Sequence, residues 1–245
     1  MKTKLLYLDT PDVLQCSAPL LDAGYDDDRK QQYIIVDQTP FYPKGGGQPS
    51  DRGYMTILDN DYQIDVVTKE SNGEVRHYIQ GSGLSGAVGD TVELCIDGSL
   101  RQLHSRIHSA GELLVPAMKA LGYDHSPAGA IHYVDNASVS FAGEIPEPER
   151  SKLMSDLAHK MNEMIAVGYP LEITRTDDLD VVQQICGFVP DYVPDGELIR
   201  TVQVWPGYGR PCRGTHVKNI SEIGNVVISK IKVKNGVTKI SYQVA

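Results

Sequence analysis

No stretch of this 245-residue chain approaches the roughly 18 apolar residues of a membrane-spanning helix. The apolar start Leu5-Leu6-Tyr7-Leu8 is cut short by Asp9, so no secretory leader is expected. Cysteine is scarce: Cys16, Cys95, Cys186 and Cys212 are scattered and suggest no disulfide framework. A reducing cytoplasm is the expected compartment. The Gly-Lys-Ser/Thr ending of a phosphate-binding loop is missing, and so is the dinucleotide fingerprint. There is no His-Glu-x-x-His for a zinc protease and no Cys-x-x-Cys with its glutamate for a nucleobase deaminase. No Ser-His-Asp arrangement, internal repeat or low-complexity segment stands out.

Positive charge is also in short supply, with 23 Lys and Arg against 32 Asp and Glu. A net charge of −9 argues at first against a nucleic-acid partner. The distribution qualifies that. Residues 201–245 hold Arg210, Arg213, Lys218, Lys230, Lys232, Lys234 and Lys239 against Glu222 alone. Such an end suits phosphates; it equally suits lysines guarding a strand edge.

What is present in an informative pattern is His104-x3-His108 and, about a hundred residues on, Cys212-x3-His216. Seven His and four Cys in 245 residues would give roughly 0.2 and roughly 0.1 such pairs by chance. Leu103, Ile107, Ala110, Leu114, Ala117 and Leu121 recur at helical spacing, so the first pair lies on a helix. Residues four apart there share a face, about 6 Å apart along the axis. Pro206, Gly207, Gly209, Pro211 and Gly214 place the second pair in a loop that can bend back. Three imidazoles and a thiolate make a zinc set. The same residues also fit a core or capping histidine and an inert buried cysteine. Pro116 removes a backbone donor and is expected to kink the helix.

The first ninety residues read as short strands, at 33–37, 54–58, 63–68, 75–79 and 91–96, with turns at Asp59-Asn60-Asp61 and Asn72-Gly73 and a loop over 81–89. This spacing suggests a small barrel. Three adjacent glycines, Gly45 to Gly47, allow close backbone approach, and Thr39, Gln48 and Asp51 are polar groups that their loop could aim into a pocket. Paired strands follow at 130–134 and 137–141. An amphipathic helix over 147–167 carries Leu153, Leu157, Met161, Met164 and Ile165 on one face. A strand at 171–174, a short helix at 179–185 and a strand at 199–204 lead to a hairpin of 225–233 and 237–242 about Asn235-Gly236. No regular βαβ rhythm is present, so the fold class is α+β.

The stretch over residues 39–53, His104-Ser105-Arg106-Ile107-His108, Cys212-Arg213-Gly214-Thr215-His216-Val217 and Glu222-Ile223-Gly224 stand in an order that resembles the editing domain of alanyl-tRNA synthetase. More closely, the chain resembles the free-standing AlaX trans-editing proteins of the medium form, from about residue 37 to the carboxyl end. The resemblance implies a glycine-rich small β-barrel over residues 1–93. It implies a zinc-binding α+β editing domain, of the type shared by threonyl- and alanyl-tRNA synthetases, over residues 94–245. It implies hydrolysis of the ester joining serine, or glycine, to tRNA(Ala), with alanine spared. In that family His104, His108, Cys212 and His216 would hold Zn2+, Gln48 would act in editing, and Thr39 would contact the serine hydroxyl. Arg210, Arg213, Lys218, Lys230 and Lys232 are the tRNA-binding candidates. At this length no aminoacylation module is expected.

The chain departs from the family pattern at Arg213, where a glycine is usual, and at Gly111 and Pro116 in the metal helix. Four protein ligands are the mark of structural zinc, whereas catalytic zinc keeps a position open; sequence leaves both versions standing. Two rivals also stand: a zinc-stabilised tRNA-binding module without hydrolysis, and editing of another aminoacyl-tRNA. The glycine-rich barrel favours the alanine branch.

Overall fold

The short strands of the first hundred residues close into a barrel in the computed structural model, which describes residues 2–81, 83–190 and 198–245. Ser82, within the expected 81–89 loop, lies outside the described residues. The chain divides into two units, Met1–Gln102 and Leu103–Ala245.

The first unit comprises β1 (Lys4–Leu5), β2 (Gln15–Asp26), β3 (Gln31–Val36), β4 (Gln38–Thr39), β5 (Gly53–Ile57), β6 (Asn60–Lys69), β7 (Val75–Ile79) and β8 (Thr91–Ile96). The barrel order is β2-β3-β7-β6-β5-β8, and β8 pairs back onto β2. Alternation does the work: in β8, Val92, Leu94 and Ile96 point inward while Thr91, Glu93 and Cys95 face out. Leu20, Ile34, Met55, Ile64 and Ile79 fill the same interior. The β5–β6 turn sits one residue earlier than the sequence suggests. Leu58 and Asp59 take positive φ, 48° and 58°, as a two-residue hairpin turn requires, and Asn60 already pairs with Ile57.

The second unit is built from α1 (Gly98–Ala120), which starts in the last residues of the first, and β9 (Pro127–Tyr133), β10 (Asn136–Ala142), α2 (Glu147–Val167), β11 (Glu172–Thr176), α3 (Leu179–Cys186), β12 (Ile199–Trp205), β13 (Tyr208–Pro211), β14 (Val226–Lys234) and β15 (Val237–Val244). An antiparallel sheet runs in the order β14-β15-β10-β9. Leu113, Leu114 and Met118 of α1 and Leu157 and Met161 of α2 share its apolar core with Phe141 and Ile240. The five apolar positions expected on one face of α2 are all buried. Gly168 ends that helix in the left-handed region, at φ 75°. Asn235 and Gly236, at φ 52° and 76°, make the β14–β15 turn.

A second sheet, β11-β12-β13, carries the approach to Cys212. From sequence, residues 206–214 are expected to form a loop throughout. The structure makes Tyr208–Pro211 a strand, and Pro211 is tolerated because β13 lies at the sheet edge. Pro116 does not end α1, which continues to Ala120.

Candidate metal centre

Helical spacing along α1 sets His108 on the buried side, 2% exposed, one turn from His104 before it and from Glu112 after it. Cys212 arrives from the other side. Pairing of β12 with β13 ends in a hydrogen bond from the Cys212 amide to the Arg200 carbonyl, 2.9 Å, which fixes where the cysteine leaves the sheet. The next turn returns His216. Ligand atoms of His108, Cys212 and His216 all lie within 4.8 Å of one another. Cys212 Sγ stands 3.5 Å from His108 Nε2 and 3.2 Å from His216 Nε2. Zinc bonds of about 2.3 Å to sulfur and about 2.0 Å to nitrogen, at tetrahedral angles, would put those atoms about 3.5 Å apart. The three donors therefore fit a metal ion in chemistry and in spacing. His104 is buried at 4% exposure but is not one of the three.

Neighbouring groups orient the donors. Ser109 Oγ accepts from the Val217 amide, 3.2 Å, and lies 3.1 Å from His216 Nδ1. With Nδ1–H donating to that oxygen, Nε2 keeps its lone pair toward the sulfur. Ser105 Oγ donates to Thr215 Oγ1 at 2.9 Å, a second tie from α1 to the loop. Buried Arg200 donates through Nη1 to the carbonyls of Cys212, 2.6 Å, and Gly214, 3.2 Å. The Gly214 amide donates to Cys212 Sγ at 3.4 Å.

Burial sets the charges. It holds His108 and His216 well below the ordinary imidazole value, assisted by neighbouring rings and Arg200, so both are neutral and able to ligate. Burial and then the Glu112 carboxylate push the Cys212 thiol up to about 12. A bound cation is what would make it a thiolate at neutral pH. Glu112 is itself pushed up to about 7 by burial, against the pull of Arg210.

Beside the trio opens a cleft of about 170 Å³, lined by Glu112, Val115, His132, Tyr208 and Arg210 among others. The His132 ring stacks on His108, centroids 4.2 Å apart. Tyr242 Oη donates to the Ile107 carbonyl, 2.9 Å, and lies 2.8 Å from His132 Nδ1. Its proton being committed, the phenol accepts from Nδ1–H, and His132 Nε2 keeps a lone pair. Gly111 has to be glycine here, because a Cβ would lie 2.5 Å from both His132 Cε1 and Tyr242 Oη.

In the first unit Thr39 is 0% exposed; its hydroxyl lies 2.7 Å from His77 Nε2 and accepts from the Phe41 amide, 3.1 Å. Gln48 is buried where its backbone pairs with Gly45, across a turn with Gly46 and Gly47 at φ 52° and 78°. Asp51, a polar group that the loop could aim into a pocket, takes Arg101 Nε at 3.0 Å and the Tyr42 amide at 2.7 Å. Among the tRNA-binding candidates, Arg213, Lys218, Lys230 and Lys232 are exposed and Arg210 is half-buried at the cleft. Arg213 is not among the residues at positive φ, so its backbone does not require glycine. Arg200, Ser109, Glu112 and His132 were not singled out from sequence. Only Glu112, one turn from His108, left a signal there.

The family described as "tRNA synthetases class II (A)" matches residues 25–100, and "Threonyl and Alanyl tRNA synthetase second additional domain" matches residues 199–239, which include Cys212 and His216. The alanyl-tRNA editing protein AlaX-L of Pyrococcus horikoshii is 31% identical over 234 residues, which are 94% of this chain and 55% of that protein. The alanyl-tRNA editing protein AlaX-M of Methanosarcina barkeri is 25% identical over 227 residues, 90% of this chain and 92% of that one. The alanine–tRNA ligase of Methanothermobacter thermautotrophicus is 30% identical over 247 residues, 98% and 26% respectively. The chain thus spans about half the length of the AlaX-L relative and about a quarter of the ligase.

Proposed function

Because the chain is a relative of the AlaX-type alanyl-tRNA editing proteins, we propose that it is an aminoacyl-tRNA hydrolase that removes the wrong amino acid from tRNA(Ala), serine first and glycine second. The observation that carries this reading is the convergence of His108, Cys212 and His216 beside an open cleft. Their donor set suits zinc, which when bound would supply Lewis acidity next to the ester.

The chain's own residues have separable tasks. Ser109 holds the His216 ring, and Arg200 holds the loop that presents Cys212. His132 offers the cleft an unprotonated nitrogen, burial having pushed its pKa down to about 4. Arg210 gives the cleft wall a positive charge suited to a phosphate or carbonyl oxygen. For Thr39 we propose recognition of the serine hydroxyl, and for Gln48 a part in editing, as the resemblance implies. A group that hydrogen-bonds a hydroxyl is left unpaired by alanine, which lacks one. Arg213, Lys218, Lys230 and Lys232 are proposed to meet tRNA phosphates, which would place the protein in the cytoplasm with its substrate.

The deciding experiment is a deacylation time course on Ser-tRNA(Ala), Gly-tRNA(Ala) and Ala-tRNA(Ala), with wild type and Cys212→Ala and with metal analysis of both. Loss of serine by wild type alone, with alanine spared and zinc near one per chain, is the expected result. Tight tRNA binding with every ester intact would replace the hydrolase by a zinc-stabilised binding module.

A further inference from the structure

The cleft beside the trio carries both signs of charge on its walls, Glu112 from α1 and Arg210 from β13. Arg210 is held in place: its Nε donates to Tyr208 Oη at 2.8 Å, and its guanidinium lies over the Phe188 ring, 5.2 Å from the centroid. Glu112 has no such tie. Its Oε1 lies 3.8 Å from His108 Nε2, too far for a hydrogen bond. Among the described residues it pairs with no lysine or arginine, although its side chain is only 19% exposed. A largely buried carboxylate is costly unless a cation meets it. His132 adds a second acceptor, since its Nδ1–H goes to Tyr242 Oη and leaves the Nε2 lone pair for the cleft. At about 170 Å³ the cleft is smaller than the roughly 300–1,000 Å³ of sites for drug-sized ligands, so it suits one small group.

The ester of the proposed reaction is itself divided by charge. Its amino acid keeps a free α-amino group, largely protonated at neutral pH, and its nucleotide side carries anionic phosphates. We infer that Glu112 is a specificity-determining residue that receives the α-ammonium of the aminoacyl group, with His132 Nε2 as a second acceptor and Arg210 turned to the nucleotide side. The inference rests on the hydrolase reading above and narrows its substrate class to esters with a free α-amine. An α-hydroxy ester leaves the carboxylate without its cation, and an acceptor left unpaired is what rejects an analogue. Peptidyl-tRNA, whose α-nitrogen is an uncharged amide, is spared for the same reason.

The test measures kcat/KM on tRNA(Ala) carrying serine and on tRNA(Ala) carrying glycerate, in which a hydroxyl replaces the α-amine at nearly equal size. Wild type should prefer the seryl ester at least about tenfold. Glu112→Gln, equal in size and uncharged, should bring that preference down to about threefold or less, the loss falling mainly on KM for the seryl ester. Both esters meet the same protein, so a defect of fold or of metal content cancels in the ratio. A wild type that cleaves the two esters alike overturns this assignment and leaves the hydrolase reading standing. So does a preference that Glu112→Gln leaves intact, whatever the zinc content of the variant. A wild type that cleaves neither ester overturns the hydrolase reading, and this assignment with it.

Discussion

Gly111 and His77 put single atoms under test. Replacing Gly111 by alanine drives a methyl group into His132 and Tyr242. The expected cost is about 1–3 kcal/mol in urea denaturation, typical of an overfilled core, with disturbance of the ring stacked on His108. His77 is fully buried, and burial pushes its pKa down to about 4 from the ordinary 6.5. Between those values the unfolded chain binds a proton that the folded chain refuses. Stability is therefore complete above pH 6.5 and declines as pH falls toward 4, by up to about 3 kcal/mol. His77→Gln keeps a polar partner for Thr39 without titrating there. A pH slope of stability that becomes shallower in the variant confirms the linkage, buried His132, His108 and His216 keeping the rest of it; an unchanged slope rejects it. The candidate metal ligands illustrate what spacing can and cannot tell. His108, Cys212 and His216 were legible because a helix and a glycine-rich loop have few ways to bring such donors together. Ser109 and Arg200 left no trace because their roles depend on where β12 and the loop pack.

Among the elements, α1, α2, and the β6–β7 and β14–β15 hairpins follow from periodicity and turn chemistry, each being a local signal. The strands missed or misread are those in which turn residues occur inside an element. β2 contains Pro19 and Gly24 and shifts register between Leu20 and Asp22, so its alternation breaks midway. β13 is hidden among Gly207, Gly209 and Pro211 and becomes a strand only because β12 offers a partner. Glu222, Ile223 and Gly224, read as part of a functional motif, follow a helix cap. Asn219 Oδ1 accepts from the Ser221 amide at 2.9 Å, and Glu222 Oε1 accepts from the Asn219 amide at 3.0 Å. The same asparagine donates to the Gly168 carbonyl at 2.9 Å, tying this turn to the end of α2. Asn219→Ala is expected to cost about 1–2 kcal/mol in a thermal or denaturant melt, and a neutral result would reject the cap as a stabilising feature.

Across the whole molecule, charge is uneven: net −9, yet Lys230, Lys232 and Lys234 stand exposed in alternation on edge strand β14. The register shift between Ile228 and Lys230 is what turns all three outward while Ile231 stays buried. If they meet phosphates, tRNA affinity falls steeply with salt. Replacing all three with serine should then reduce the log–log salt slope by up to about 3, read by filter binding at several salt concentrations. An unchanged slope would leave the lysines as guards of the sheet edge. No helix among the described residues is long and apolar enough to cross a membrane.

The barrel also imposes an order in time. Its last seam joins β2 to β8, where Ser17 donates to Glu93 at 2.6 Å across 76 residues of sequence. The ribosome makes β2 first and its closing partner last. At about 5–20 residues per second, β2 waits roughly 4–15 s for that partner. Through that interval the nascent unit is an open ladder with an unfilled edge, so the pace of translation, rather than any later step, sets the earliest moment at which its interior can be sealed.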